Sequence, residues 1–259
     1  MINGRQRAVV VLTALLAAVL AALAGPGCGG GPERSEAVEG GEEGIAAETS
    51  GEEREAVIIP PGGGGVVHMC GRSVLAGWFE HWGWDHDPEN PVRRFGHTLL
   101  YHEMEVPPGI LETAREVIRE ASREEGGAVF FKLCFADFEG GDEDTARLNL
   151  ERNEGIAGEV AKAAVEAGVP TLILGNALPV VSEYCDRWLV WNQREYNAFL
   201  EGLARRYPGR VMVLDLYGTL ATPEGWLRPE YAADAHDSHL NGAAYGALDG
   251  VLGAALSGP

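Results

Sequence analysis

The amino-acid sequence predicts an α/β fold, a three-layer α/β/α sandwich built around a central parallel sheet. From residue 64 onward, short apolar runs alternate with longer stretches whose apolar residues recur at helical spacing. Short strands that are separated by helices of several turns cannot pair as hairpins. They therefore form a parallel sheet that is covered on both faces by helices.

Four buried strands are predicted from the apolar runs, over residues 66–70, 128–135, 171–174 and 211–216. The intervening helices end at glycine or proline, as at Gly126 and Pro208, and an alanine-rich helix is predicted over 242–256. Ligands of such sheets bind beyond the carboxyl ends of the strands. The residues that follow each strand are therefore the functional candidates.

Residues 1–27 are typical of a signal peptide, because two arginines precede an apolar run from Ala8 to Ala24 and small residues follow. Cys28 comes directly after this stretch. The pattern resembles the cleavage site of bacterial lipoproteins, in which the cysteine is acylated. The predicted location is therefore the cell envelope, outside the cytoplasm, with a lipid anchor in the membrane. Ordinary secretion and an uncleaved membrane anchor are the alternatives.

Residues 28–62 form a predicted acidic tether. Between residues 29 and 56 the chain carries nine glutamates, two arginines and no aromatic residue. Such a segment buries too little surface to offset the entropy lost on folding, and its like charges keep it extended. The folded domain is therefore assigned to residues 63–259. The net charge of −19 argues against a nucleic-acid partner.

Three cysteines lie within the predicted domain: Cys70, Cys134 and Cys185. Their spacing matches no zinc motif, so no structural metal is expected from them. Outside the cytoplasm, Cys70 and Cys134 are the favoured disulfide pair, because both lie at the ends of neighbouring predicted strands. Three buried thiols are the alternative.

Ser73 lies shortly after the first predicted strand, in the sequence Gly71-Arg72-Ser73-Val74. At a strand-to-helix junction, a serine hydroxyl can reach the sheet edge while the N–H groups of the next turn face an anion. These properties suit a nucleophile. The alternative is a serine that caps the helix.

His239 lies in the sequence Asp237-Ser238-His239, just before the final helix. A histidine held by a carboxylate is the usual base that deprotonates a serine, because the carboxylate fixes the imidazole tautomer. Asp237 is the predicted partner of His239, and Asp234 is the alternative. A solvated polar loop that carries no chemistry is the competing interpretation.

Together the two motifs resemble the SGNH/GDSL hydrolase superfamily, in which a serine follows the first strand in a G-D-S block and a D-x-x-H block precedes the final helix. The resemblance covers residues 66–255 and implies a flavodoxin-like α/β fold. It implies a serine esterase in which Ser73 attacks the ester, His239 is the base and no cofactor takes part. Arg72 stands where the superfamily has aspartate, and Asp237 lies two rather than three residues before the histidine.

The resemblance also implies donors for the oxyanion. These are the Ser73 amide and a glycine of the second block, which we place at Gly96. A third block usually supplies an asparagine after a central strand, but residues 134–137 of this chain contain none. Asp137, at the end of that block, is expected to contact the substrate. Asn176 follows the next strand and is a poor substitute for the missing asparagine.

Trp78 and Trp82 follow Ser73 closely and are predicted to form a stacking surface for a sugar ring or an acyl group. Packing in the core is the alternative. Four further potential ligands lie in the same stretch: His81, Asp85, His86 and His97. No recognised metal-binding spacing relates them, so no metal is predicted.

The sequence therefore predicts an extracytoplasmic serine esterase for a small-molecule or polysaccharide ester, with O-acyl groups of carbohydrate or the cell wall as expected substrates. The alternative is a noncatalytic lipoprotein that keeps the fold and binds a ligand, and the missing asparagine at 134–137 supports it. A hydrogen bond between Ser73 and His239 favours the enzyme, and divergent side chains favour the binding protein.

Replacing Cys28 with serine removes the acyl acceptor, so we expect the Cys28→Ser protein to leave the membrane fraction with its domain still folded. Ultracentrifugation of lysed bacteria followed by immunoblotting measures this change. Cys185→Ser, a change within the domain, is the matched control and should stay with the membranes. A Cys28→Ser protein that still sediments with the membranes would indicate an uncleaved anchor.

Overall fold

The structure of the protein, a computed structural model, describes residues 64–87 and 90–257. The predicted signal peptide (1–27), Cys28 and the predicted tether (28–62) lie outside the described residues. Among the residues that the structure describes, no helix is long and apolar enough to cross a membrane.

The central sheet has six strands: β1 (Val66–Gly71), β2 (Val92–Arg94), β3 (His97–Glu103), β4 (Ala128–Phe131), β5 (Thr171–Gly175) and β6 (Val211–Leu214). Their spatial order is β2-β3-β1-β4-β5-β6. Neighbouring strands are parallel except for β2, which pairs antiparallel with β3 at one edge. A separate antiparallel hairpin is formed by β7 (Ala232–Asp234) and β8 (Asp237–Leu240).

The helices cover both faces of the sheet. They are α1 (Ser73–His81), α2 (Ile110–Ala121), α3 (Glu143–Glu166), α4 (Arg187–Arg206), α5 (Leu216–Leu220) and α6 (Gly242–Ser257). One core lies between the sheet and α1 and α6, and a second core lies between the sheet and α2, α3 and α4. β1 contributes to both, since Met69 belongs to the first core and Cys70 to the second. The predicted three-layer α/β/α sandwich is confirmed.

Two predicted strands are too long, and four observed strands were not predicted: β2 and β3 of the central sheet and β7 and β8 of the hairpin. The apolar run 128–135 extends beyond the end of β4, because Leu133 and Cys134 are buried in a loop beyond the sheet. The run 211–216 extends beyond the end of β6. The Asp215 side chain accepts a hydrogen bond from Gly218 N–H and so caps the start of α5. β2 and β3 gave little sequence signal, because these strands near the sheet edge are only partly buried.

The order of the parallel strands predicts a ligand crevice beside β1. The chain moves outward from β1 to β3 and then crosses to β4 on the other side of β1. At such a switch point the connections diverge and leave room for a ligand at the carboxyl ends of the strands. α1 begins just beyond β1 at this edge, and a short 3₁₀ turn over Phe135–Asp137 follows β4.

Asn241 fixes the β7–β8 hairpin against the start of α6. Its side-chain N–H groups donate to the carbonyl oxygens of Glu230 and Ala232, both at 2.9 Å. Its Oδ1 accepts a hydrogen bond from Ala243 N–H at 2.9 Å. The position of His239, which lies on β8, therefore depends on the position of α6.

Ile173 in β5 is fully buried in the core beneath α1 and α6, whereas Leu148 on α3 is 70% exposed. We expect Ile173→Ala to lower the free energy of unfolding by about 3 kcal/mol, because it removes apolar contacts and leaves a cavity. Leu148→Ala is the matched control and should change it by less than about 0.5 kcal/mol. Urea denaturation measures both values. Equal losses would contradict the assignment of this core.

Candidate active site

Ser73 is the first residue of α1 and lies just beyond the carboxyl end of β1. Arg72 occupies the cap position in an extended conformation, and its side chain makes no capping hydrogen bond. The alternative interpretation, in which the Ser73 side chain caps the helix, is therefore wrong. The first N–H groups of a helix have no partner within it. The Ser73 N–H can thus face an anion held beside the Ser73 hydroxyl.

The Ser73 hydroxyl meets the imidazole of His239. Ser73 Oγ lies 3.0 Å from Nε2 of His239. On the other side of the ring, Nδ1 lies 2.6 Å from Oδ1 of Asp237, which also accepts the His239 backbone N–H at 2.9 Å. A carboxylate at Nδ1 holds a proton there and leaves Nε2 as an acceptor for the serine proton.

Asp237, and not Asp234, is the carboxylate that contacts His239. The backbone N–H of His239 is the main cause that lowers the pKa of Asp237, and the His239 side chain adds to it. Asp237 is therefore ionised at neutral pH. Asp234 instead accepts the backbone N–H of His236 at 2.7 Å, and the His236 ring pairs with Glu183.

Neighbouring groups fix the loop and the ring of His239. The Phe135 ring stands edge-on to the imidazole, with the ring centroids 5.3 Å apart. Ser238 is buried, and its Oγ accepts a hydrogen bond from Val181 N–H at 3.1 Å. The side chains of His239 and Asp237 are each nearly half exposed. A ligand in the crevice can therefore reach the imidazole.

An ion pair between Arg72 and Asp137 lies beside the serine. The Arg72 guanidinium donates to one oxygen of Asp137, and the other oxygen accepts Cys134 N–H at 2.7 Å. Asp137 is only 3% exposed. Because both of its oxygens are engaged within the protein, the prediction that Asp137 contacts the substrate is wrong. Asp137 instead holds Arg72 and the 3₁₀ turn in place.

Lys132 is a polar group near this ion pair that the sequence did not reveal. Its side chain is buried, and Nζ has no hydrogen-bond partner among the described residues. Burial is the main cause that lowers the pKa of Lys132, whereas Cys134 and Asp137 act in the opposite direction. A single lysine inside an apolar run gives no sequence signal of such surroundings.

Gly96 does not supply an oxyanion donor to Ser73. It lies in the turn before β3, with a φ of 78°, at the amino end of that strand. Ser73 follows the carboxyl end of β1. Because Val66 pairs with Thr98 in the parallel register, the length of β1, roughly 20 Å, separates the two sites. The prediction fails because the glycine serves the turn between β2 and β3.

The backbone next to Ser73 and His239 offers the remaining candidates for oxyanion donors. Asn176 is buried, and its side chain is hydrogen-bonded to Asp215 and to Tyr217 N–H, so it does not replace the missing asparagine. The turn over Phe135–Asp137 lies against His239, and the first N–H groups of such a turn have no partner within it. These amides and the Ser73 N–H are the candidate donors.

Trp78 and Trp82 do not line the crevice. Trp78 is 1% exposed and packs in the core under α1. Trp82 follows the end of α1 that lies farthest from Ser73, and its ring packs against Phe95. Both indole N–H groups donate to Asp249 of α6, at 2.7 and 2.8 Å. The predicted stacking surface is wrong, and the alternative of core packing is confirmed.

Cys70, Cys134 and Cys185 are free thiols. The favoured Cys70–Cys134 disulfide is wrong, because Cys70 pairs with Phe131 across the sheet and Cys134 lies beyond the end of that ladder. Burial raises the pKa of the Cys70 thiol and so disfavours the reactive thiolate. Among the described residues, no three of the potential ligands in the tryptophan-rich stretch converge on one point.

Comparison with known proteins supports the fold. No protein-family model matches the chain, and no curated protein matches it. A GDSL-like lipase from Bacteroides thetaiotaomicron VPI-5482 has a similar structure, with a TM-score of 0.52 and 17% identity over 72% of this chain and 85% of that chain. A protein described as an acylhydrolase, from Bacteroides fragilis NCTC 9343, gives a TM-score of 0.51 and 18% identity over 73% and 84%. The chain therefore has the α/β fold of these proteins, as the sequence resemblance implied.

Asp137→Ala leaves the Arg72 guanidinium without its partner and Cys134 N–H without its acceptor. We expect a loss of about 3 kcal/mol in the free energy of unfolding, because breaking a buried ion pair leaves an uncompensated charge. Glu105→Ala, which removes an exposed carboxylate, should change it by less than about 0.5 kcal/mol. Urea denaturation followed by circular dichroism compares the two variants. A near-neutral Asp137→Ala would show that the pair does not hold the turn.

Proposed function

We propose that this chain is a serine hydrolase of the SGNH/GDSL type that cleaves ester bonds. The observation that carries the proposal is the continuous contact from Ser73 Oγ through His239 to Asp237, with distances of 3.0 and 2.6 Å. Its position at the switch point of the sheet supports the proposal, because ligands of this fold class bind there. The fold shared with a GDSL-like lipase supports it as well.

Acyl transfer to Ser73 is the first half of the proposed reaction. Nε2 of His239 takes the hydroxyl proton while Ser73 Oγ bonds to the carbonyl carbon of the ester. The Ser73 N–H and the first N–H groups of the turn, those of Phe135 and Ala136, donate to the negatively charged former carbonyl oxygen. The bond to the alkoxy group then breaks, and His239 gives its proton to the departing alcohol.

Hydrolysis of the acyl group is the second half. His239 takes a proton from water as the water oxygen bonds to the acyl carbon, and the collapse of this intermediate frees the acid. The same proton returns to Ser73 Oγ, which restores the starting state. Asp237 accepts no proton in either half, but it holds the Nδ1 proton and stabilises the imidazolium. Every proton transfer in this scheme uses a residue of this chain.

Arg72 distinguishes this site from the superfamily pattern, which has aspartate at this position. Its guanidinium follows β1 and directly precedes the nucleophile, and Asp137 fixes its position. Because the charge of this guanidinium is paired with the Asp137 carboxylate, we infer that Arg72 positions the turn over Phe135–Asp137 and does not replace the missing asparagine amide.

We further propose that the hydrolase acts in the cell envelope on O-acyl groups of carbohydrate or the cell wall. The signal-like segment 1–27, the candidate acylation site Cys28 and the acidic segment 28–62 support this location. An exposed imidazole in an open crevice suits a polymer whose acyl groups project from its surface. A small ester in the same compartment is compatible with the same geometry.

A noncatalytic lipoprotein that binds a ligand is the second candidate function. The absence of asparagine from residues 134–137 and the shifted aspartate support it. The contact between Ser73 and His239 argues against it. Ligand binding alone does not require a serine hydroxyl that contacts an imidazole held by a carboxylate.

A fluorophosphonate probe tests the proposal without knowledge of the substrate, because labelling needs both an activated serine and an oxyanion site. We expect the full-length protein to be labelled. Ser73→Ala should abolish labelling and lower the hydrolysis of an aryl acetate by roughly 10⁴-fold or more, and His239→Ala should behave similarly. Asp237→Ala should lower both by a smaller factor, because the carboxylate orients the imidazole without taking its proton.

Asp234→Ala is the matched control, since Asp234 lies on the same hairpin and does not contact His239. It should be labelled like the unmodified protein. A loss of labelling in Asp234→Ala but not in Asp237→Ala would reassign the carboxylate. A protein that resists the probe and hydrolyses aryl acetates equally well after Ser73→Ala would be the noncatalytic binding protein instead.

A further inference from the structure

A cluster of histidine and glutamate side chains lies on the face of β1 that is turned away from α1. Its members are His68 of β1, His102 of β3, Glu120 of α2 and Glu124 in the turn after α2. A potential ligand atom of each of the first three residues lies within 4.8 Å of the other two. None of these side chains contacts the serine site, so the proposed esterase reaction does not account for them.

His68 is fully buried, and both of its ring nitrogens are engaged. Nε2 lies 3.0 Å from Oε2 of Glu124, and Nδ1 lies 2.9 Å from Nε2 of His102. A carboxylate only accepts hydrogen bonds, so the His68 proton is on Nε2. The lone pair of Nδ1 is therefore directed at His102.

The His102 ring presents its Nε2 to this lone pair. When Nε2 carries the proton, the two rings form a hydrogen bond. When the proton is on Nδ1, two lone pairs face each other, and only a cation between them makes that arrangement favourable. A neutral imidazole is the form that binds a metal ion.

We propose that His68, His102 and Glu120 form a binding site for a divalent transition-metal ion of the zinc type. The ligands are Nδ1 of His68, Nε2 of His102 and a carboxylate oxygen of Glu120. Zinc–nitrogen bonds of about 2.0–2.1 Å at tetrahedral angles place two nitrogens about 3.3 Å apart. The two nitrogens here are 2.9 Å apart, so a shift of a few tenths of an ångström admits the ion. Two imidazoles suit zinc and disfavour magnesium and calcium.

The surroundings of the three ligands fit this assignment. Glu124 accepts the Nε2–H of His68. Metal-binding histidines typically donate the N–H of the nitrogen that does not bind the metal to a carboxylate, which fixes the ring and its tautomer. Glu120 is exposed, so an ion can enter from solvent and water can complete the tetrahedral coordination. The bound ion would connect two parallel strands to α2 and so stabilise the layer behind β1.

The sequence offers no motif for this site. The first two ligands lie 34 residues apart, and the third comes from a different helix, so no short spacing relates them. The prediction that the chain lacks a metal site rested on such spacings. Only the parallel register, in which Cys70 pairs with His102, brings the two histidines to the same face of the sheet.

Zinc binding by the full-length, chelator-treated and tag-free protein tests the proposal. After addition of one equivalent of ZnCl₂ and gel filtration, elemental analysis should find about one zinc per chain. The melting temperature should rise by several degrees at excess zinc, since the ion binds only the folded state. MgCl₂ should produce neither effect. His102→Gln should abolish both effects, and Glu124→Gln should weaken zinc binding by about 10- to 100-fold.

His86→Gln is the matched control, because it removes an exposed histidine that pairs with Glu80 outside the cluster. It should bind zinc like the unmodified protein. The proposal would be overturned if the protein retained far less than one zinc per chain, or if His102→Gln retained as much zinc as the unmodified protein. The cluster would then be a hydrogen-bonded histidine pair. Because neither measurement uses esterase activity, the result does not depend on whether the serine site is catalytic.

Discussion

The contact between Ser73 Oγ and His239 Nε2 is the interaction on which the candidate active site depends. It joins residues that lie 166 positions apart in the chain, at a distance of 3.0 Å. A contact of this kind tolerates displacements of only a few tenths of an ångström. The serine is held by the turn from β1 into α1, and the histidine by the β7–β8 hairpin. The relative position of α1 and α6 therefore decides whether the site exists.

Several contacts fix these two helices against each other. Tyr245 of α6 donates its O–H to the Val74 carbonyl oxygen, at 3.2 Å. Gly77 of α1 makes this approach possible, because a Cβ atom there would lie only 2.3 Å from Tyr245 Oη. At the far end of α1, Trp78 and its neighbour Trp82 both donate to Asp249 of α6. The tryptophans that follow the serine thus orient the helix that carries Ser73 rather than bind a ligand.

The sequence predicted the parts of the site that follow from the order of the elements along the chain. It did not predict the contacts between side chains that are far apart in the sequence. Ser73 and Asp237-Ser238-His239 follow predicted strands or precede the last helix, so the topology of a parallel sheet brings them to one edge. The apolar runs also predicted the central strands, because burial on both faces leaves a continuous hydrophobic signal.

Gly96 was misplaced because β3, the half-buried strand that it precedes, was not recognised. The His68 to His102 contact joins side chains on neighbouring strands, and the Arg72 to Asp137 pair joins segments that follow neighbouring strands. No pattern along the sequence encodes the register that brings them together.

The formation of a covalent acyl-enzyme on Ser73 tests the central claim most directly. The full-length protein would be mixed with p-nitrophenyl acetate, quenched with acid during turnover and digested, and the peptides analysed by mass spectrometry. An acyl-transfer mechanism predicts an acetyl group on the peptide that contains Ser73, located on the serine hydroxyl by fragmentation. The group should disappear after the substrate is exhausted, because His239 activates water to remove it. Turnover without any acetylated Ser73, or a stable acetyl group confined to Lys162 or another surface residue, would contradict the account.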